Sequence, residues 1–265
     1  YDPQLCWDRL ATPTPEHGVT SLIMGNCSVS LAPVAPDAKD MMIGWFSSVE
    51  DMDTGLLSQN VSFDWETPAE YLQQLQGDLG PNVGAFVGHA PIRAYVMGGA
   101  SQERTATADE IGAMVEVLRD ALQAGSFGLS FTYNHLDHHG QELPCTYADR
   151  AELVALLQEV ARQGKMVEVS PDFRAGADTI KYFDLFGELS LETGCRVTLS
   201  PILVIGGRDG PWKDRLGRLE YWREKGAKIF GQTQVRPLDM TINLGQGAVL
   251  FGKTPLWRTF MDRPI

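Results

Sequence analysis

Two patterns of apolar residues take turns along the chain. Short apolar runs lie at Val19–Met24, Val83–His89, Phe127–Phe131, Met166–Val169, Arg196–Leu199 and Lys228–Phe230, with Pro201–Ile205 prolonging the fifth. Runs of this length, bounded by turn residues, fit buried strands. The stretches between them carry apolar residues at helical spacing. Thr107-Ala108-Asp109-Glu110 is a capping box, followed by a stripe of Ile111, Met114, Val115, Leu118 and Leu122 that Gly125 stops. A second helix opens at Thr146–Asp149, runs through Leu153, Leu156, Leu157 and Val160, and closes at Gly164. Further helices are predicted over Pro68–Gln76, with Pro68 in the first turn, over Ala177–Thr193 and over Trp212–Lys225. Tyr1–Glu16, with three prolines, reads as a loop. Residues 39–66 are mixed: MMIGWFSSVEDM suits a short helix and NVSFDWET an extended piece. The tail after Pro237 is irregular.

Strand and helix alternating at roughly 30–40-residue intervals imply parallel βα units and an α/β fold. Right-handed crossovers leave a barrel or a doubly wound sheet. No glycine-rich nucleotide-binding fingerprint follows any strand. The 265 residues, 43% of them hydrophobic, suffice for one large domain or two smaller ones. The net charge of −12 is spread without a block of like charges, which argues against nucleic acid or an anionic membrane as partner. Cys6, Cys27, Cys145 and Cys195 are far apart, with no CxxC pair, as expected of a reduced, cytoplasmic protein. No run of about eighteen apolar residues is present. The polar start YDPQLCWD suggests that a segment precedes Tyr1.

In a parallel barrel, chemistry gathers just past the C-terminal ends of the strands. Cys27 occupies such a position after the first strand. It is a metal-ligating thiol, an inert buried cysteine, or a nucleophile with a base such as His89 nearby. His89 ends the second strand and lines the same mouth or is a core histidine. Arg93 binds a substrate carboxylate or makes a structural ion pair. His135, with Tyr133 beside it, follows the third strand and could reach a substrate; His138 and His139 share its polar loop. Asp172 follows the fourth strand as a base, a ligand or a turn residue. Gln232 and Arg236 follow the last, and Arg236 could hold an acidic substrate.

Gly18–Pro36, GVTSLIMGNCSVSLAPVAP, resembles the signature of the N-acyl-D-amino-acid deacylases, a branch of the amidohydrolase superfamily. VGHAPIRAYVMG (Val87–Gly98) is similar to that family's Val-Gly-His-x-x-x-Arg stretch, and LQAGSFGLSF to its next strand. HHGQELPCTYA and QVRP (Gln234–Pro237) resemble one sub-branch. The resemblance runs over most of the chain. It implies an incomplete TIM-like β/α barrel of the metal-dependent type, with residues 1–265 forming part of it and the N-terminal strand region and C-terminal part missing. It also implies zinc-activated hydrolysis of the linear amide of N-acyl-D-amino acids. Cys27 matches the family's metal-ligating cysteine. The family's His-x-His falls before Tyr1 and its acid/base aspartate beyond Ile265, so no catalytic residue is assigned. The histidine that commonly follows the fourth strand has no counterpart, since none occurs after His139. His89, Arg93, Tyr133, His135 and Arg236 are the expected substrate-side residues. Two alternatives stand beside this reading: a degenerate barrel that binds a small molecule without catalysis, and a cysteine-based amidase.

Overall fold

The computed structural model describes residues 1–137, 139–173, 177–203 and 210–234, together with residues 256, 257 and 259. Among them are six strands: β1 (Ser21–Met24), β2 (Asn82–Gly88), β3 (Gly128–Thr132), β4 (Met166–Ser170), β5 (Arg196–Leu199) and β6 (Ile229–Gly231). They are hydrogen-bonded in chain order, each pair parallel. Sequential order settles the choice left by the alternating pattern. A doubly wound sheet reverses direction at a switch point, whereas a barrel adds each strand beside the last. The sheet is therefore a curled, incomplete TIM-like barrel.

The helices are α1 (Gln4–Trp7), α2 (Lys39–Glu50), α3 (Thr54–Asn60), α4 (Pro68–Gln74), α5 (His89–Met97), α6 (Ala108–Gln123), α7 (Arg150–Arg162), α8 (Ile180–Thr193) and α9 (Trp212–Glu224). The capping box predicted at Thr107 is present, with Thr107 accepting from the Glu110 amide and the Glu110 carboxylate accepting from the Thr107 amide. None of these helices is long and apolar enough to cross a membrane.

Alternate strand residues divide the sheet into two faces. Leu129, Phe131, Val167, Val169, Val197 and Leu199 are completely buried, and Phe131 packs on Phe186 of α8 at 5.7 Å between ring centroids, which identifies the helix-covered face. The other face carries Ser130, Glu168 and Thr198 in register across β3, β4 and β5. All three are buried, so this face holds a polar layer.

Several boundaries differ from the sequence expectation. The proline-rich start contains the single turn α1 and a 3-10 turn at Pro15–His17. Between the expected helix and the extended piece lies α3, which the sequence reading did not foresee; its first turn is held by the Asp53 carboxylate accepting from the Leu56 amide, and residues 61–65 after it are neither helix nor strand. The helix expected from Thr146 starts at Arg150, because the Asp149 side chain caps it through the Glu152 amide. The second strand stops at Gly88, and His89 opens α5, which the sequence reading did not foresee. Residues 201–203 do not prolong β5, and residues 204 and 205 lie outside the described residues.

Candidate functional site

β1 ends at Met24 and the chain turns at once through Gly25, Asn26, Cys27 and Ser28. Gly25 has φ +77°, and a Cβ there would lie 2.4 Å from the carbonyl oxygen of Phe86 on β2, so only glycine lets the turn sit against its neighbour. Cys27 and Ser28 also have positive φ, +57° and +63°. Two consecutive non-glycine residues in this region are strained and persist only where surrounding contacts hold them.

Those contacts come from β3 and β4, from Asp2 near the chain start, from the first turn of α5 and from Cys145. The Cys27 amide donates to Glu168 Oε2 at 3.2 Å, and the Ser28 amide to Ser130 Oγ at 3.2 Å. Ser130 Oγ in turn donates to the Gly25 carbonyl at 2.5 Å. The Gly25 amide donates to Asp2 Oδ2 at 2.9 Å. Ser28 Oγ accepts from the Ala90 amide at 2.8 Å, which leaves its own proton for Cys145 Sγ at 3.0 Å. Cys27 thereby stands over the polar layer of β3 and β4.

Below the turn runs a buried chain of charge. His89 Nδ1 is 3.3 Å from Cys145 Sγ, and Nε2 is 2.6 Å from Glu152 Oε1. Arg93 donates to the other Glu152 oxygen and to the carbonyls of Ser101 and Arg104. His89, Arg93, Cys145 and Glu152 are all without exposed surface. Burial opposes charge on His89, yet Cys145 and Glu152 outweigh it and raise the imidazole to about 9. Burial likewise opposes the Cys145 thiolate, and the neighbouring imidazole lowers that thiol all the same.

The polar layer above is electrostatically different. Burial pushes the Glu168 carboxyl up to about 8, and its Oε1 has no hydrogen-bond partner. The Cys27 thiol is pushed well up, first by burial and then by the carboxylates of Glu168, Glu50 and Asp2.

The expected substrate-side residues are not all brought together. His89 and Arg93 lie beneath the turn with their polar groups engaged by Glu152, and in this conformation neither has surface to offer a ligand. Tyr133 is nearly buried, 4.5 Å from the Tyr182 ring between centroids. His135 keeps partial exposure, with Nδ1 2.7 Å from Thr132 Oγ1 at the end of β3. Arg236 and His138 lie outside the described residues. Asp172 is partly exposed beyond β4, its carbonyl accepting from Thr179. Sequence reasoning passed over Glu168, Cys145 and Glu152. A charged residue between Val167 and Val169 of a buried strand was the available signal for Glu168.

Zinc takes thiolate, imidazole and carboxylate ligands. Cys27 with the unclaimed Glu168 oxygen fits that donor chemistry on one side of a site. Among the described residues no group of three His, Cys, Asp or Glu converges to complete one.

No family model matches the chain. It is 30% identical over 198 residues to an uncharacterized protein of Mycobacterium tuberculosis, covering 69% of this chain and 31% of that one. It is 29% identical over 187 residues to the D-aminoacylase of Alcaligenes xylosoxydans xylosoxydans, covering 63% and 36% respectively. The chain thus spans about a third of the length of these relatives. A D-aminoacylase variant crystallised with copper chloride superposes with a TM-score of 0.68 at 26% identity, over 88% of this chain and 45% of that one. The N-acyl-D-glutamate deacylase of Bordetella bronchiseptica, complexed with zinc and a phosphonate inhibitor, shares the fold with a TM-score of 0.66 at 21% identity, over 89% and 46%. Over the part of them that it spans, the chain is similar in sequence to a D-aminoacylase and shares the fold of a solved D-aminoacylase.

Proposed function

We propose that the chain belongs to a hydrolase that cleaves the linear amide bond of N-acyl-D-amino acids, releasing a carboxylate and a D-amino acid, with Cys27 as one ligand of a zinc ion. The observation that carries this reading is the position of Cys27. It sits on a tightly held turn at the C-terminal end of a parallel barrel strand, in a chain related to D-aminoacylase. Zinc bound there would polarise the amide carbonyl and lower the pKa of a bound water to about 7. The chain's own residues hold the turn: Glu168 and Ser130 fix the Cys27 and Ser28 amides, and His89 and Cys145 support Ser28 from below. On this reading, His135, with Tyr133 close to it in sequence, and Arg236 are the side chains that meet the substrate, while His89 and Arg93 serve through the turn. Four free cysteines support a reducing, cytoplasmic setting.

The test is release of D-amino acid from a panel of N-acyl-D- and N-acyl-L-amino acids by the zinc-loaded protein. Preference for the D series, with Cys27→Ala lowering kcat/KM by at least about 100-fold, is the expected result. Turnover unaffected by Cys27→Ala, or no hydrolysis of any D substrate, would refute it.

A further inference from the structure

Two buried glutamates lie near the Cys27 turn, and the fold treats them differently. Glu152 has both oxygens taken up, one by His89 and one by Arg93. Glu168 has no exposed surface either, but it receives only the Cys27 amide on Oε2, and Oε1 has no partner. The neighbouring hydroxyl of Ser130 donates to the Gly25 carbonyl and is not available to it. Two more unpartnered buried oxygens lie at the same turn: Oδ1 of Asn26 within it, and Oδ1 of Asp2, whose other oxygen holds the Gly25 amide. The titratable groups that act on the Cys27 thiol, Glu168, Glu50 and Asp2, are all acidic. Buried acceptors are ordinarily satisfied. A thiol, an open carboxylate oxygen and unmatched acceptors around one turn call for a cation rather than another donor.

We propose that Glu168 is a metal-ligating side chain, its open Oε1 and the Cys27 thiol forming two corners of a site for a thiophilic divalent cation. The inference rests on the zinc reading above and adds a ligand to it, from the strand that lacks the family's histidine. Thiolate and carboxylate together suit zinc or cobalt better than calcium or magnesium, which take oxygen alone.

Cobalt titration of the chelator-stripped chain tests this without any assay of activity. Cys27 coordination gives a thiolate-to-cobalt absorption band, and competition by zinc gives the affinity. The wild type is expected to show the band, and Cys27→Ser to lose it. Glu168→Gln is expected to keep the band while weakening zinc at least about tenfold, and Glu168→His, which returns a donor, to recover most of that loss. A Glu168→Gln protein that binds zinc as tightly as the wild type would overturn the assignment of Glu168 and leave Cys27 as a ligand. No cobalt binding by the wild type would overturn both this inference and the zinc reading beneath it. Should Glu168→Gln fail to fold, the comparison of wild type with Glu168→His decides: an affinity unchanged or tighter supports ligation, and a tenfold loss with an intact band opposes it.

Discussion

At the scale of single residues, what separates a structural charge from an available one is the completeness of its partners. Glu152 pairs with Arg93 and the His89 imidazolium at once, with all three fully buried. Removing one member of a buried set leaves the others uncompensated in a medium that solvates them poorly, which costs about 3–5 kcal/mol. Glu152→Gln, nearly isosteric, is therefore expected to lose about that much in urea denaturation. Arg150→Gln, which breaks half-exposed pairs with Glu188 and Glu192, should change stability by no more than about 1 kcal/mol. Equal effects would mean that the buried set is not charged. The sequence named His89 and Arg93 because strand-end polar residues attract attention. It could not show that α7, more than fifty residues further on, delivers the carboxylate that claims them both. Cys27 was legible as a strand-end residue, whereas Glu168 was hidden in an apolar run where side-chain alternation, not composition, carries the information.

Among the elements, the Gly25–Ser28 turn depends on how closely two strand ends approach. A Cβ added to Gly88, the last residue of β2, would lie 2.1 Å from the Ser28 carbonyl oxygen and 2.7 Å from its carbon. Neither can retreat, since the Ser28 amide is bound to Ser130 and its hydroxyl to the Ala90 amide. Gly88→Ala should push the turn outward at a cost of about 1–3 kcal/mol, as overpacking does. Cys27 should then react faster with an alkylating reagent than in the wild type. An unchanged rate would show that the turn does not depend on that approach. The strands were readable because each is a short apolar run bounded by turn residues, and α6 because its cap and stripe agree. α5 was missed although Pro91 stands in its first turn and Gly98 ends it. The apolar run VGAFVGH carries the strand reading through the boundary, and the sterically forced change at Gly88 is a tertiary fact.

For the whole molecule, the rhythm of βα units was enough to indicate parallel strands. The choice between an open sheet and a curled barrel needed the pairing order, because both architectures share the same repeat. The helical layer around that sheet is joined by charges the sequence leaves looking like ordinary solvated faces. Glu159 on α7 binds Arg162 on its own helix and reaches Arg119 on α6 at 3.3 Å, so one carboxylate ties adjacent βα units. Arg162 above all, then Gln163 and Arg119, lower its carboxyl to about 2 against the opposition of burial. A carboxylate whose pKa falls on folding contributes stability that is complete above its unfolded value, about 4.5, and disappears as pH falls through about 2. Both arginines are partly exposed, so solvent screening keeps the contribution to about 1 kcal/mol, or about 2–4 °C in Tm for a chain of this size. Thermal melts of the wild type and Glu159→Gln should differ by about that amount above pH 4.5, and the gap should close as pH falls toward 2. A gap that persists unchanged into acid would show that Glu159 acts through packing rather than charge, and that the layer is held by its apolar faces alone.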